Sequence, residues 1–413
     1  LGNGIHTLYG SVGTTGNQDY LNDLFLYNDL TLFSNNGNVT FHKRVDGGHI
    51  LTVNAGSGDI SFLGLVGSLT PLESLILNGT GITHLNGGSA ATSGLQAYGE
   101  AVSLGANTAL TSSAGDVSFA QPLNGAQNLT INAINADFNG PVGDVAPLAS
   151  LTVNASGTTG INGGAVTTNG QQTYGSAVSF GADTVLASNG GDVTFDGAVT
   201  GAHDLTVDAR AANPLDKDGN IAWNALISAV NLKLFGNDLV MRGDVSASGA
   251  NGVLMSASHS FQNLGSNSIL LPGTGRWLIY SIDPTLDVDG GLTGSVQWNT
   301  TYLLGPTPSF TGNGFLYADA PPAPAPVIIN IGAINNGDNT GSGGSATGVY
   351  DGSLSQAGSE GSTASNWSAT PSDIFSWDLG TLRDAVASPD EDGYGRKKKK
   401  SKAKTKSPWF KEP

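Results

Sequence analysis

Asp216-Lys-Asp218-Gly-Asn220 places an oxygen-bearing side chain at every second residue, which is how a calcium loop opens toward a hard cation. An EF-hand would need Gly where Ile221 stands and a bidentate Glu where Ile227 stands, so a surface turn is the competing reading. Asp216, Asp218 and Asn220 are the candidate metal ligands. Arg242-Gly243-Asp244 sets a guanidinium and a carboxylate on either side of a flexible glycine, the tripeptide that integrin-binding proteins display, and is the candidate receptor contact. Its competing reading is a strand opening, because Gly-Asp-Val also stands at Gly115 and Gly191. Lys397, Lys398, Lys399 and Lys400, with Arg396, Lys402, Lys404 and Lys406, form a basic run suited to an anionic surface, or simply a solvated tail.

Other residue types exclude chemistry. There is no cysteine, hence no disulfide, thiolate metal site or Cys nucleophile. His6, His42, His49, His84, His203 and His259 show no metal-ligand or triad spacing. Glycosidases need a paired set of carboxylates, yet many acids here recur at matched turn positions such as Asp116 and Asp192. Recurrence argues for structure, since an active site is needed once. No cofactor is implied, and no enzyme activity is expected. Asn-x-Ser/Thr occurs at Asn38, Asn78, Asn128, Asn154, Asn299 and Asn366; Asn78 and Asn154 are matched positions, read as an Asn ladder rather than as glycosylation sites.

The elements that must carry these residues follow from composition and period. Gly accounts for 60 of 413 residues and charged residues for only 12%, a balance that favours strands and turns over helices. Residues 390–413 hold 9 of the 17 basic and 4 of the 33 acidic side chains, so the rest, at 8 against 29, is strongly acidic and repels nucleic acid. No apolar run is long enough to span a membrane as a helix. Pro71-Leu-Glu-Ser-Leu returns as Pro147-Leu-Ala-Ser-Leu, Gln96-Ala-Tyr98-Gly99 as Gln172-Thr-Tyr174-Gly175, and the strand from Gly115 as that from Gly191. These landmarks share one offset, from 71 to 147, 96 to 172 and 115 to 191. A degraded first copy, in which Gln18 and Tyr20 answer to Gln96 and Tyr98, lies upstream at nearly the same offset. Within each copy apolar residues alternate, as in Val117/Phe119 and Val193/Phe195 or Leu129/Ile131 and Leu205/Val207. Short strands repeated in tandem bury an apolar face only by coiling on one another. The expected fold is all-β, a right-handed parallel β-helix with a disordered C-terminal tail; a sandwich or propeller is the alternative. The period divides into three rungs of ~25 residues or four of ~19, giving a rod of order 60 to 75 Å in which Phe119 and Phe195 share one column.

The repeated T-x-G-x-Q-x-Y-G (Thr92–Gly99 and Thr168–Gly175), the G-D-V-[ST]-F and L-T-[VI]-[ND]-A strands, and Gly275-Arg-Trp-Leu-Ile-Tyr-Ser-Ile-Asp-Pro resemble the filamentous haemagglutinin-type exoproteins of Gram-negative bacteria, adhesins exported by two-partner secretion. The resemblance covers about residues 1–318, and the family's N-terminal secretion domain has no counterpart in it. It implies a secreted or surface-exposed protein outside the outer membrane that acts as an adhesin or stalk. The implied partners are a host-cell or surface receptor or glycan and an outer-membrane secretion partner, with no specific nucleic acid and no membrane span; some relatives carry the 242–244 tripeptide. The competing class is a carbohydrate-active β-helix enzyme, recognisable by a cleft with three or more convergent carboxylates or basic groups. The expected organisation is a repeat-built β-helix over 1–210, irregular final rungs and a cap over 211–318, a Pro/Gly/Ser-rich linker over 319–370, and a tail with the basic run over 371–413.

Overall fold

In the computed structural model, residues 6–213, 215–302 and 308–320 are described, together with two short strands, Ile328–Asn330 and Thr347–Val349, which pair antiparallel. The chain divides into two units, Leu1–Pro322 and Ala323–Pro413. The expected disordered tail, most of the linker and the basic run at Lys397–Lys400 lie outside the described residues.

The first unit is a parallel β-solenoid of about 14 turns. Among its described residues helix is limited to 3-10 geometry, at the turn Pro284–Leu286 and at Tyr302. Every turn visits three faces. In one turn the chain passes through Ser89–Thr92 on the first face, Gln96–Tyr98 on the second and Ala101–Leu104 on the third. The next turn lays Thr108–Ser112, Val117–Phe119 and Leu123–Asn124 on top of them in register, Gln96 beside Val117 and Tyr98 beside Phe119. The alternation read from the sequence is the inward and outward alternation of these strands. Val117, Phe119, Val193, Phe195, Leu129, Ile131, Leu205 and Val207 are all buried in one core that runs the length of the solenoid, while Ser118 and Thr194 between them lie at the surface.

The register of Gln96 on Val117 and of Tyr98 on Phe119 makes the typical turn shorter than three rungs per period would require and longer than four would. The consequence concerns the repeat. From strand Gln18–Tyr20 to strand Gln96–Tyr98 the chain makes eleven strand positions at three per turn, which is three turns and two-thirds; the same count leads from Gln96–Tyr98 to Gln172–Tyr174. Each copy of the repeat is therefore rotated by one face against the previous one. Tyr20 lies on the third face, Tyr98 on the second and Tyr174 on the first. Phe119 and Phe195, expected in one column, stand on different faces for this reason.

Each face thus carries its own aromatic stack. Tyr20, Phe41 and Phe62 follow at 5.2 and 4.8 Å, Tyr98, Phe119 and Phe138 at 5.0 and 5.4 Å, and Tyr174 and Phe195 at 5.3 Å, with Trp223 next in register. These spacings are close to the strand separation of a sheet, so the rings stack because the backbones do.

A buried polar staple opens each stack. The Thr92 hydroxyl donates to the Gly94 carbonyl, the Gln96 amide donates to Thr92 Oγ1 and to the Thr111 carbonyl of the next turn, and the Tyr98 hydroxyl donates to Gln96 Oε1. Thr168, Gln172 and Tyr174 repeat it, as do Thr14, Gln18 and Tyr20. Burial pushes the Tyr20 hydroxyl up to about 12 and those of Tyr98 and Tyr174 higher still, so each remains a hydrogen-bond donor at physiological pH. The motif that carries the family resemblance is a device for turning a solenoid corner.

Corners also explain the glycine content. Gly170, Gly191 and Gly219 lie on one another, and a Cβ on Gly191 or Gly219 would collide with the backbone of the glycine beneath. Polar ladders finish the exposed edges: Asn78 Nδ2 donates to Asn54 Oδ1 and Asn154 Nδ2 to Asn132 Oδ1, each at 3.0 Å, the ladder expected at those sequons.

Candidate functional site

Titratable groups gather at the corner between the third and first faces over the last turns. Three elements build it. The excursion between Asp208 and Ile221 lengthens one turn, while strands Leu232–Met241 and Val253–Asn263 each bend through the corner with a register shift between Gly236 and Asp238. Beyond them, strand Trp277–Ser281 leads through Pro284–Leu286 to Val288, which pairs with Gln262.

Asp238 is held by three side chains. Its Oδ1 accepts from His259 Nδ1 at 2.6 Å and from the Ser260 hydroxyl at 2.7 Å, and its Oδ2 accepts from Asn237 Nδ2 at 3.0 Å. Burial pulls its carboxyl upward, but the bonds from His259 and Ser260 and the charges of His259 and Lys217 outweigh that, and the net position is below the usual range. His259 Nδ1 is held against Asp238 Oδ1 on a half-exposed ring. Asp287 is the opposite case. Its Oδ1 accepts from the Phe261 amide and the Ser281 hydroxyl, each at 2.8 Å, while its buried Oδ2 has no partner. Burial, aided by the charge of Asp283, raises its carboxyl to about 6 despite those bonds and the His259 charge. Tyr317 faces the same group; burial first, then Asp287, Asp289 and Asp283, push its hydroxyl upward. The corner thus combines an imidazole at His259, a carboxyl raised to about 6 at Asp287 and hydroxyls at Ser281 and Tyr317. Ser281 and Tyr317 are buried, so the exposed part of this set is the His259 ring.

Asp218 and Asn220 reach the same corner, where their oxygens hold the fold. Asp218 Oδ1 accepts from the Ala211 amide and Oδ2 from the Ser258 hydroxyl; Asn220 Oδ1 accepts from Asn237 Nδ2 and the Asp238 amide. The Asp216 amide bonds the Asn213 carbonyl. Among the described residues no three His, Asp or Glu side chains are grouped as a metal site.

Arg242-Gly243-Asp244 turns the corner from the first face to the second. Arg242 and Asp244 are exposed, and Asp244 Oδ1 accepts from the Ser268 amide. Gly243 is no flexible hinge: its carbonyl accepts from the Nε1 of buried Trp223 at 2.9 Å, and a Cβ there would collide with the Ala225 backbone. Asp116 and Asp192, the repeated turn acids, each accept from an amide of the next turn, at Asn135 and Asn220.

The histidines follow a rule that no triad spacing captures. His42, His49, His84, His203 and His259 each stand against an aspartate of the preceding turn: Asp19, Asp29, Asp59, Asp183 and Asp238. Asp287 lies beyond the repeat, where no period points to it. Glu100 is a residue that motif reading passes over although the sequence carries a signal for it: it breaks the repeat, standing where the third copy has Ser176.

By its fold the chain is a β-solenoid protein. A scan against protein-family models, a search of curated proteins and a search of solved structures find no match. No helix among the described residues is long and apolar enough to cross a membrane.

Proposed function

We propose that this chain is an extracellular scaffold of the adhesin type, exported to the exterior of a Gram-negative outer membrane, whose solenoid holds binding surfaces away from the cell. The observation that carries the reading is the use of its repeated polar side chains. Asn54, Asn78, Asp116, Asn132, Asn154 and Asp192 bond the neighbouring turn, so repetition extends a rigid body of roughly 60 to 70 Å rather than multiplying a reactive site. The likeness to filamentous haemagglutinin-type exoproteins supports export by a secretion partner and a host-cell or surface receptor or glycan as ligand. Exposed Arg242 and Asp244 are the receptor contact in this reading, and the corner at His259 and Asp287 is the place for a glycan.

A carbohydrate-active enzyme is the second reading, favoured by one observation, the carboxyl of Asp287 poised near 6 beside Asp283, Asp289 and Tyr317. One experiment separates them. Beads coated with the whole chain are scored for attachment to epithelial cells and to a glycan array, while the same preparation is incubated with a polysaccharide panel and assayed for new reducing ends. The scaffold reading expects saturable attachment, competed by soluble chain, without product. Reducing ends that appear with the wild type and vanish with Asp287→Asn would replace it by the enzyme reading.

A further inference from the structure

Between the second and third faces, Glu100 follows the Tyr98 staple and turns its side chain inward. It is 1% exposed. The Thr83 hydroxyl, itself fully buried, donates to Glu100 Oε1 at 2.8 Å, whereas Oε2 is buried without a hydrogen-bond partner. That carboxyl forms the floor of a niche lined by Gly79, Thr80, Gly81, Ala101 and Gln121.

The repeat supplies its own control. In the third copy the corresponding residues are Ala155, Thr159 and Ser176, and Ser176 Oγ satisfies Thr159 at 3.1 Å with no charge and nothing left over. The second copy differs at two of the three positions together. Gly79 replaces the alanine, and a Cβ there would lie 2.5 Å from Glu100 Oε2 and 2.9 Å from the Gly56 carbonyl oxygen. The glycine thus leaves room for the carboxylate as well as for the turn beneath, and the third copy forms the same corner without a carboxylate. Desolvation, the largest influence, raises the Glu100 carboxyl, the Thr83 hydroxyl and the nearby Gly81 amide lower it in part, and the charge of Asp59 raises it again, with a net shift upward. A cation in the niche relieves both unfavourable influences. The groups at hand are a carboxylate, a Thr hydroxyl and a Gln amide, all able to present oxygen, with neither nitrogen of an imidazole nor sulfur among the lining residues, and oxygen-only sets select hard cations.

We propose that this niche is a binding site for a hard cation of the calcium class, with Glu100 as its anionic ligand. Thr80, Gln121 and water complete the oxygen set, and Asp59 adds long-range attraction. The site is independent of what the surface adheres to.

The test uses the full chain, stripped of metal, in calorimetric titrations and thermal melts with CaCl2, with MgCl2 and with NaCl at matched ionic strength. Two variants accompany it: Glu100→Gln, and Glu100→Ser, which puts in the niche the residue that stands at this position in the third copy. The wild type should bind calcium with a dissociation constant below about 1 mM and melt at a higher temperature with it. Both variants should lose the heat and the shift while melting in EDTA at or above the wild-type temperature. Absence of any calcium effect on the wild type would overturn the proposal, with Glu100 then simply holding a proton. Calcium binding that survives in both variants would overturn it too, and Asp218→Asn would show whether the loop at 216–220 is responsible instead.

Discussion

At the scale of single residues, the inward and outward alternation makes sharp and opposite demands on neighbours. Phe195 is fully buried between Tyr174 and Trp223, whereas Thr194 lies on the outer side of the same strand. Removing a large buried aromatic costs about 3 to 5 kcal/mol and an unpaired buried charge at least as much. Phe195→Asp should therefore give little soluble protein and a new protease site near residue 195, with Thr194→Asp close to wild type in both assays. Similar behaviour of the two would refute the alternation. Asp287 makes a second demand, on pH. Its folded carboxyl is raised from 3.8 to about 6, so between those values the native state holds a proton that the unfolded chain has already released, and stability falls as pH rises through that window. After allowance for solvent screening the loss is roughly 1 to 2 kcal/mol. Asp287→Asn keeps an acceptor for Phe261 and Ser281, so urea midpoints between pH 4 and 7 should decline for the wild type and decline less for the variant. The charges facing Asp287 from its surroundings include Asp283 and His259, which is why the difference between the two curves, rather than either alone, is the measurement.

At the scale of the element, turns stack backbone on backbone at the corners, and small side chains there are a condition of the fold. Gly191 lies between Gly170 and Gly219, while Gly48 has open space where a Cβ would go. Overpacking of the first site should lower stability by about 1 to 3 kcal/mol, and the second should stay within about 0.5 kcal/mol. Thermal melts of Gly191→Ala and Gly48→Ala decide this, and equal melting temperatures would mean that the corners are not in contact. The polar staple of Thr, Gln and Tyr works at the same scale, fixing where one face ends and the next begins.

At the scale of the whole solenoid, the repeat of three turns and two-thirds rotates each copy onto a new face. Its contacts to the turns above and below are nevertheless the same, because the staple and the Asn ladders recur in each setting. The faces are interchangeable as environments. Deletion of residues 71–146 joins the first copy to the third and should leave a shorter solenoid in which Tyr174 takes the second face. The expected outcome is a cooperative melt with an unchanged β signal in circular dichroism; aggregation or a molten product would show that the faces differ in what they accept. Matched outward residues therefore wind around the solenoid instead of forming one flat repeated array.

Alternation of apolar residues, the long internal repeat and the excess of glycine were enough to specify parallel strands coiled on one another, since each is a local or strictly periodic property of the chain. The inward positions of Val117, Phe119, Val193 and Phe195 and the ladders at Asn78 and Asn154 were legible for the same reason. The turn length was not, because the offset between two copies need not be a whole number of turns, and only the register of Gln96 on Val117 shows that it is not. Nor was the corner of His259, Asp238 and Asp287, whose partners are brought together by stacking across turns of unequal length. Whether a charged side chain caps a turn, as Asp192 does, or stands with an unpartnered oxygen, as Glu100 does, depends on what the turns above and below place against it; tertiary structure alone decides that.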